Sequence, residues 1–254
     1  MLSGLTATST VTNVFAEHPP SSRACLELRF YHLRNDFERD RLDGFLESTY
    51  LPATRRLGFG PVGFFNVIVG PDMPCLVTLT SYPSLAAMET AIDSLSQDET
   101  WKRAVEEFGK PKELAYARVD SRLLRAFAKM PGIEIPKHDE NRKDRLFELR
   151  VYEARTLKAS LAKIRMFEEG EIAIFRKVGL LPVFFGQTLI GPGMPSLAYM
   201  LAFDSVESRE ENWRRFVSDP DWIKLRSKPG FSDAEIVSNI HNCFLRPTKY
   251  SPIR

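Results

Sequence analysis

The sequence predicts an α+β protein in which two tandem ferredoxin-like repeats (βαββαβ) pack sheet to sheet and form one barrel within a single chain. The first observation behind this prediction is an internal repeat. The segment ELRFY at 27–31 returns as ELRVY at 148–152, and GPDMP at 70–74 returns as GPGMP at 191–195. Both pairs of segments are 121 positions apart (148 less 27, and 191 less 70). This constant register indicates that one whole unit has been duplicated.

The second observation is the order of elements inside each repeat. Alternation of apolar and polar residues predicts strands, an apolar stripe of helical period predicts helices, and Gly and Pro mark turns. The first repeat is predicted to contain strand 25–33, helix 36–57, strands 61–69 and 76–82, a helical region 84–108 and strand 114–124. This order is that of the ferredoxin-like unit, in which helices cover one face of a four-stranded antiparallel sheet.

Single residues support these boundaries. Leu26 and Leu28 lie on the apolar side of the first strand, which alternates with period two. Pro52 is expected to kink or restart the first helix, because it lacks a backbone donor. Gly58 supplies a C-terminal stop for that helix, and Ser84 is a suitable N-cap for the next helical region.

The second repeat follows the same order and completes the predicted division of the chain. Its elements are predicted as strand 146–154, helix 157–178, strands 182–190 and 197–203, helices 205–227 and strand 235–245. The domains are predicted as a disordered tail 1–24, a first repeat 25–126, a linker 127–145 and a second repeat 146–254.

The third observation is the sheet face that the helices of one repeat leave bare. A bare apolar face of roughly 500 Å² would cost about 12 kcal/mol, at about 25 cal/mol per Å². Packing the two sheets against each other removes this cost. A barrel within one chain is therefore expected, with the helices outside.

Composition and motifs argue against several classes of function. The net charge is only +2 and no basic run is interleaved with aromatic residues, so nucleic-acid binding is not expected. Three cysteines without a CxxC, and four histidines without metal-ligand spacing, predict neither a metal site nor a haem, and no cofactor is expected. The sequence has no P-loop, GxGxxG or GxSxG motif.

The sequence also predicts where the protein is located. No run approaches the ~20 apolar residues of a membrane span, so no integral membrane segment is expected. A cytoplasmic location is predicted. Export is the alternative if residues 1–16, which end in Val14-Phe15-Ala16, are a truncated signal.

Four segments of the second repeat together resemble the NIPSNAP family: FELRVY at 147–152, IGP at 190–192, DPDW at 219–222 and LRPTKYSP at 245–252. The resemblance extends more loosely to the first repeat and suggests a tandem, bacterial-type member. It implies the dimeric α+β barrel superfamily, here with both halves in one polypeptide. That superfamily includes small monooxygenases, haem-degrading enzymes, muconolactone isomerases and proteins without known catalysis, so it does not select an activity.

The polar sides of the two first strands are the leading candidates for a functional site. If the apolar sides pack on helices, the polar side chains point between the sheets. They form either a pocket, with arginine on an anionic ligand and tyrosine as a hydrogen-bond donor, or an internal salt-bridge network. The ligand-binding candidates are Glu27, Arg29, Tyr31, Glu148, Arg150 and Tyr152, together with Gln187 and Arg246 on later strands of the second repeat.

These observations predict a protein of undefined activity that binds a small ligand or a protein partner without catalysis. The alternative is a cofactor-light monooxygenase or isomerase that acts on a small hydrophobic or aromatic acid in the barrel cavity. In that case Arg29 or Arg150 would bind the substrate carboxylate, and Tyr31 or Tyr152 would do acid–base work. The expected partners are a small anionic or hydrophobic ligand and a second copy of the chain.

Overall fold

The computed structural model describes residues 23–71, 73–137 and 144–254. The predicted tail therefore lies almost wholly outside the described residues. The first repeat contains β1 (Cys25–His32), α1 (Asp36–Phe45), α2 (Leu51–Leu57), β2 (Val62–Val69), β3 (Cys75–Tyr82), α3 (Leu85–Gln97), α4 (Glu99–Gly109) and β4 (Arg118–Ala126). The predicted order is confirmed, with the N-cap at Ser84 and the end of α2 at Gly58.

The second repeat has the same order. It contains β5 (Leu146–Glu153), α5 (Leu157–Met166), α6 (Ile172–Lys177), β6 (Leu181–Ile190), β7 (Ser196–Phe203), α7 (Val206–Ser218), α8 (Pro220–Arg226), α9 (Asp233–Ile236) and β8 (Asn239–Pro247). The prediction that the last strand starts at residue 235 is wrong, because residues 233–236 form the short helix α9 instead.

The described strands close into one antiparallel barrel in the order β1-β3-β2-β8-β5-β7-β6-β4. Strand β8 of the second repeat pairs with β2 of the first, and β4 pairs with β6, so the two sheets join at both edges. The predicted barrel within one chain is confirmed. Counting four strands around the barrel from any strand leads to the equivalent strand of the other repeat. An approximate two-fold axis therefore runs along the barrel.

The barrel interior is apolar, which corrects the predicted orientation of the first strands. Leu26 and Leu28 of β1 pack inside the barrel with Phe147 and Leu149 of β5 and with Phe184 of β6. The polar sides of β1 and β5 point outward, beneath the helices, and not between the sheets. An eight-stranded barrel is only wide enough for its interior to fill with side chains, and buried charges there would have no partners.

The first helix of each repeat is interrupted by one π-helical segment, Leu46–Tyr50 in the first repeat and Phe167–Glu171 in the second. Helix α2 restarts beside Pro52, as predicted. The proline is not the cause of the interruption, because the equivalent position in the second repeat is Ala173 and the same π segment forms there.

The described part of the predicted linker packs on the barrel. Phe127 and Met130 are fully buried, and the Phe127 backbone N–H donates to the Phe185 carbonyl. Residues 138–143 of the predicted linker lie outside the described residues. The division into 25–126, 127–145 and 146–254 stays a prediction.

Candidate functional site

The predicted polar residues of the second repeat form a closed network under helix α7. Glu148 is fully buried and accepts hydrogen bonds from Arg150, Arg209, Trp213 and Asn242 at 2.7–3.2 Å. Burial raises the pKa of Glu148, but Arg209 and Arg150 outweigh it and lower the pKa below its usual value. All of the charge on this carboxylate is therefore compensated within the protein.

Arg150 and Tyr152 continue the same network. Arg150 Nη2 donates to the Tyr152 hydroxyl at 3.2 Å, and the Tyr152 and Tyr199 hydroxyls are 2.9 Å apart. The guanidinium also lies 5.0 Å from the ring centre of Trp213. Arg150 is thus held by a carboxylate, a phenol and an aromatic ring, in an internal network that lies under α7 and not, as predicted, between the sheets.

The equivalent cluster of the first repeat is less complete. Arg29 Nε donates to Glu27 Oε1 at 2.7 Å, and Ser121 Oγ donates to the same oxygen at 3.1 Å. Glu27 Oε2 is buried and has no hydrogen-bond partner among the described residues. The reason is that Met88 and Ile92 of α3 occupy the positions of Arg209 and Trp213 in α7.

Among the remaining predicted residues, Tyr31 contacts Arg29 in the first-repeat cluster, whereas Gln187 and Arg246 join neither cluster. Gln187 is half-buried on β6, and Arg246 is exposed, with Nη1 3.3 Å from the Asp144 carbonyl oxygen. Arg125, the equivalent of Arg246, lines a cavity of about 210 Å³ beside the start of α3. Trp101 and Trp222 pack in the apolar clusters under the helices, as expected of core residues.

A cavity lies inside one end of the barrel, and its lining contains none of the predicted ligand-binding residues. Its volume is about 270 Å³. We call this end, where β1 and β5 end and β4 and β8 begin, the barrel mouth. The lining residues are Phe30, His32, Val67, Pro71, Cys75, Asp120, Arg122, Leu149, Val151, Glu153, Pro192, His241, Asn242 and Cys243.

Arg122 of β4 is the buried cation of this cavity and is only 6% exposed. Its Nη1 donates to Thr188 Oγ1 at 3.0 Å and to Ser196 Oγ at 2.9 Å, which fixes the guanidinium against the wall. It forms no salt bridge with any carboxylate of residues 23–71, 73–137 or 144–254. Burial lowers the pKa of Arg122, and the nearby Glu153 opposes this shift. No salt bridge among the described residues neutralises this charge, and Glu153 compensates it only from a distance.

The opposite wall of the cavity is apolar, although it is built from equivalent positions. Cys243 is the equivalent of Arg122, and Val67 and Cys75 are the equivalents of Thr188 and Ser196. Burial raises the pKa of Cys243 to about 12, so the side chain is a neutral thiol at physiological pH. The duplication has thus diverged into a cavity with one cationic and one apolar wall.

Two histidine–carboxylate pairs line the same mouth. His32 Nε2 lies 2.8 Å from Asp120 Oδ2, and His241 Nε2 lies 3.0 Å from Glu153 Oε1. The side chain of His32 is 11% exposed and that of His241 is 52% exposed. Burial raises the pKa of Asp120, but hydrogen bonds from Arg118 and His32 outweigh it and lower the pKa.

The internal repeat contains a signal for these pairs. Position 32 corresponds to 153 and position 120 to 241, so histidine and carboxylate have changed places between the repeats. A single histidine at the end of a strand does not indicate its partner. Arg122 gives no signal from the repeat either, because its equivalent, Cys243, is not charged. Comparison of the repeats position by position would have linked the four residues.

Two further findings concern the described residues alone. Within 23–71, 73–137 and 144–254, no cluster of three or more His, Cys, Asp or Glu side chains is arranged to hold a metal ion. No helix in these ranges is both long enough and apolar enough to cross a membrane.

Comparison with known proteins identifies one family profile. The profile described as NIPSNAP matches residues 26–131 and 147–252, which is both repeats. A NIPSNAP family protein of unknown function from Agrobacterium tumefaciens is 23% identical and has a TM-score of 0.39, and the match covers 47% of this chain and all of that one. No curated protein matches the chain.

Solved structures also match the two repeats together. A candidate monooxygenase from Lactobacillus acidophilus has a TM-score of 0.59 at 9% identity, and the match covers 91% of this chain and 99% of that one. A second candidate monooxygenase, from Fusobacterium nucleatum, has a TM-score of 0.56 at 9% identity, with 90% and 94% covered. At such identity, these two matches support the fold alone.

Proposed function

This chain belongs to the NIPSNAP family, and on that premise we propose that it binds one small carboxylate with an apolar body at the barrel mouth, through Arg122. NIPSNAP relatives of unknown function do not indicate a ligand. The observation that carries the proposal is the buried guanidinium of Arg122, which has no carboxylate partner among the described residues and faces an apolar wall.

The electrostatics of the cavity favour an anion. A buried charge without a partner is costly, and a bound carboxylate would supply the missing partner through charge-assisted hydrogen bonds. Only Nη1 of Arg122 is occupied by described side chains, and Nε is buried without a hydrogen-bond partner among the described residues. Thr188 and Ser196 hold the guanidinium in place before the ligand arrives.

The size of the cavity favours a small ligand. About 270 Å³ corresponds to about nine water volumes of about 30 Å³ each. A molecule of about nine non-hydrogen atoms, such as benzoate, fits this volume. Apolar groups of such a ligand would contact Val67 and Cys243 on the wall opposite Arg122.

Isothermal titration with benzoate and its neutral analogue benzamide tests this proposal. We expect benzoate to bind with one site per chain and benzamide to bind at least about tenfold more weakly, because hydrogen bonds to charged groups contribute about 1.5–3 kcal/mol. Native mass spectrometry of the purified protein would show in parallel whether a small molecule is retained.

Arg122→Met is the decisive variant and Arg246→Met is its control, since Arg246 is exposed and away from the cavity. Arg122→Met should weaken benzoate binding at least about tenfold, whereas Arg246→Met should leave it unchanged. Arg122→Lys keeps the positive charge and provides a second variant to test if Arg122→Met does not fold. Equal affinity for benzoate and benzamide, or full binding by a folded Arg122→Met, would refute the proposal.

A second candidate function is proton transfer on a bound acid, in line with the isomerase alternative. His32 is nearly buried, lines the same cavity as Arg122 and is oriented by Asp120. With His32 Nε2–H donating to Asp120, Nδ1 is the free acceptor for a proton on carbon next to a carbonyl group.

Deuterium exchange of phenylpyruvate in D₂O, followed by proton NMR, would test the second candidate. The protein should accelerate loss of the methylene signal, and His32→Gln should abolish the acceleration while benzoate still binds. His241→Gln tests separately whether the more exposed pair, His241 and Glu153, contributes to the exchange rate. If phenylpyruvate exchanges at the uncatalysed rate in the presence of wild-type protein, the proton-transfer function is refuted and ligand binding alone is retained.

The cytoplasmic location and self-association of the chain stay predictions. A pocket between the sheets at Arg29 or Arg150 is not proposed again, because both side chains lie on the outer face of the barrel.

A further inference from the structure

We infer that the ligand is a linear alkyl carboxylate whose chain leaves the barrel mouth and lies along the two turns beside it. This inference rests on the proposed function and specifies its ligand class. It starts from four apolar residues at the mouth, which we call the turn rim: Val69, Met73, Ile190 and Met194.

The turn rim is apolar and exposed in both repeats. Val69 and Ile190 are 55% and 67% exposed, and Met73 and Met194 are each 50% exposed. The two pairs occupy equivalent positions, 121 apart. Exposed apolar side chains that cluster beside a cavity typically mark a binding surface.

The turn rim is continuous with the cavity. Pro71 and Pro192, from the same two turns, line the cavity wall. Both turns approach the cavity wall closely, since a Cβ on Gly70 would lie 2.6 Å from Cys243 Cβ and a Cβ on Gly191 would lie 3.1 Å from Arg122 Cγ. A chain that enters between the turns therefore passes from the rim to Arg122 along these prolines and beside the Glu153 carboxylate.

The distribution of polarity matches a linear amphiphile better than a compact acid. The cavity is cationic at Arg122 and apolar at Val67 and Cys243, and the apolar character continues outward onto the rim. A compact acid would fill the cavity and leave the rim uncovered. A second copy of the chain is a poorer occupant, because a stable interface uses about 20–30 residues on each side.

Affinities for a series of straight-chain acids test the inference. Butanoate, hexanoate, octanoate, decanoate and dodecanoate are titrated calorimetrically below their micelle concentrations. Octanoate has about the volume of the cavity. Up to this length each CH₂ should tighten binding about fourfold. Beyond it, where the rim covers only one side of the chain, each CH₂ should tighten binding about twofold.

The double variant Ile190→Ser/Met194→Ser removes half of the turn rim. It should leave the affinity for octanoate unchanged and reduce the gain from octanoate to dodecanoate from about sixteenfold, at twofold per CH₂, to about fourfold. The matched control is Leu85→Ser/Val217→Ser, which removes two helix residues that are 48% and 53% exposed. This control should retain the full gain.

The outcomes separate this inference from the proposed function. If octanoate binds through Arg122 but longer acids gain nothing in the wild type, the ligand stays within the cavity and the inference fails. If octanoate binds equally well to Arg122→Met, the proposed function itself fails. A rim variant that changes the oligomeric state by size-exclusion chromatography would instead make the rim an interface between copies, and would overturn the inference.

Discussion

At the scale of single residues, the two equivalent glutamates Glu27 and Glu148 show how the repeats have diverged. Glu148 is bound by Arg150 and by Arg209 of α7, whereas Glu27 is bound by Arg29 and Ser121 and has one buried oxygen without a partner among the described residues. The cost of removing either charge therefore depends on how many cations it compensates.

Replacement of Glu148 by Gln should lower the free energy of unfolding by about 3–5 kcal/mol, because two partly buried arginines lose their counter-ion. Glu27→Gln is the matched variant and should cost only about 1 kcal/mol, since the side chain of Arg29 is 35% exposed and screened by solvent. Urea denaturation of both variants measures the difference. Equal losses would mean that the network around Glu148 does not act as a unit.

Lys163 and Glu171 form a buried ion pair with no equivalent in the first repeat, where Leu42 and Tyr50 stand. Lys163 Nζ lies 3.2 Å from Glu171 Oε2, and both side chains are 3% exposed. Burial raises the pKa of Glu171 to about 6 in spite of the attraction of Lys163. The folded protein therefore holds this proton more tightly than the unfolded chain.

The free energy of unfolding should consequently fall as pH rises from about 4.5 to about 6, by about 2 kcal/mol at 1.36 kcal/mol per pKa unit. Within this window the unfolded chain has released the proton of Glu171 and the folded protein has not. Glu171→Gln removes the effect, so wild-type stability relative to the variant should decline across the window. Denaturation at several pH values checks this, and parallel profiles would contradict it.

At the scale of elements, the turn between β6 and β7 connects the fold to the cavity. Gly193 has a φ of +67°, and a Cβ there would overlap the Glu153 carboxylate. Gly58 at the end of α2 has a similar φ of +74° with nothing within 4 Å of a Cβ. Comparison of alanine variants at these two glycines therefore distinguishes the cost of backbone strain from the cost of steric contact.

Gly58→Ala should cost about 1 kcal/mol, from the left-handed backbone alone. Gly193→Ala should cost at least about 1 kcal/mol more, because it also displaces Glu153 from His241. Thermal unfolding of both variants tests this expectation. Equal losses would show that Glu153 moves aside freely and that the turn does not constrain the mouth.

At the scale of the whole molecule, the two repeats depend on each other for their interior. The strand pairs β2–β8 and β4–β6 each join one repeat to the other. The interior combines Leu28 of the first repeat with Leu149 and Phe184 of the second. Covalent continuity should thus contribute less to the folded state than this shared core.

Cleavage of the backbone between Lys137 and Asp144, at an inserted protease site, should leave the two fragments associated. Apolar burial across the barrel and the two inter-repeat strand pairs provide the reason. Size-exclusion chromatography after cleavage should show one species of the original size, and denaturing electrophoresis should show two fragments. Two separate fragments in solution would mean that the chain connection is essential.

The sequence by itself determined the duplication, the order of the elements and the closed barrel. These features depend on local periodicity and on a constant offset of 121 positions, and both are visible along the chain. It also indicated that Glu148 and Arg150 form a pair, because residues two apart on a strand share a face.

Only the tertiary structure decided which face of β1 and β5 lies inside. Period-two alternation distinguishes two faces but does not say which one a barrel encloses, and that choice follows from the narrow interior and from the polar partners on α7. The arrangement of side chains at the barrel mouth also depends on the tertiary structure. His32 meets Asp120, 88 positions later, only because β1 pairs with β4, and Arg122 meets Thr188 only because the two repeats close on each other.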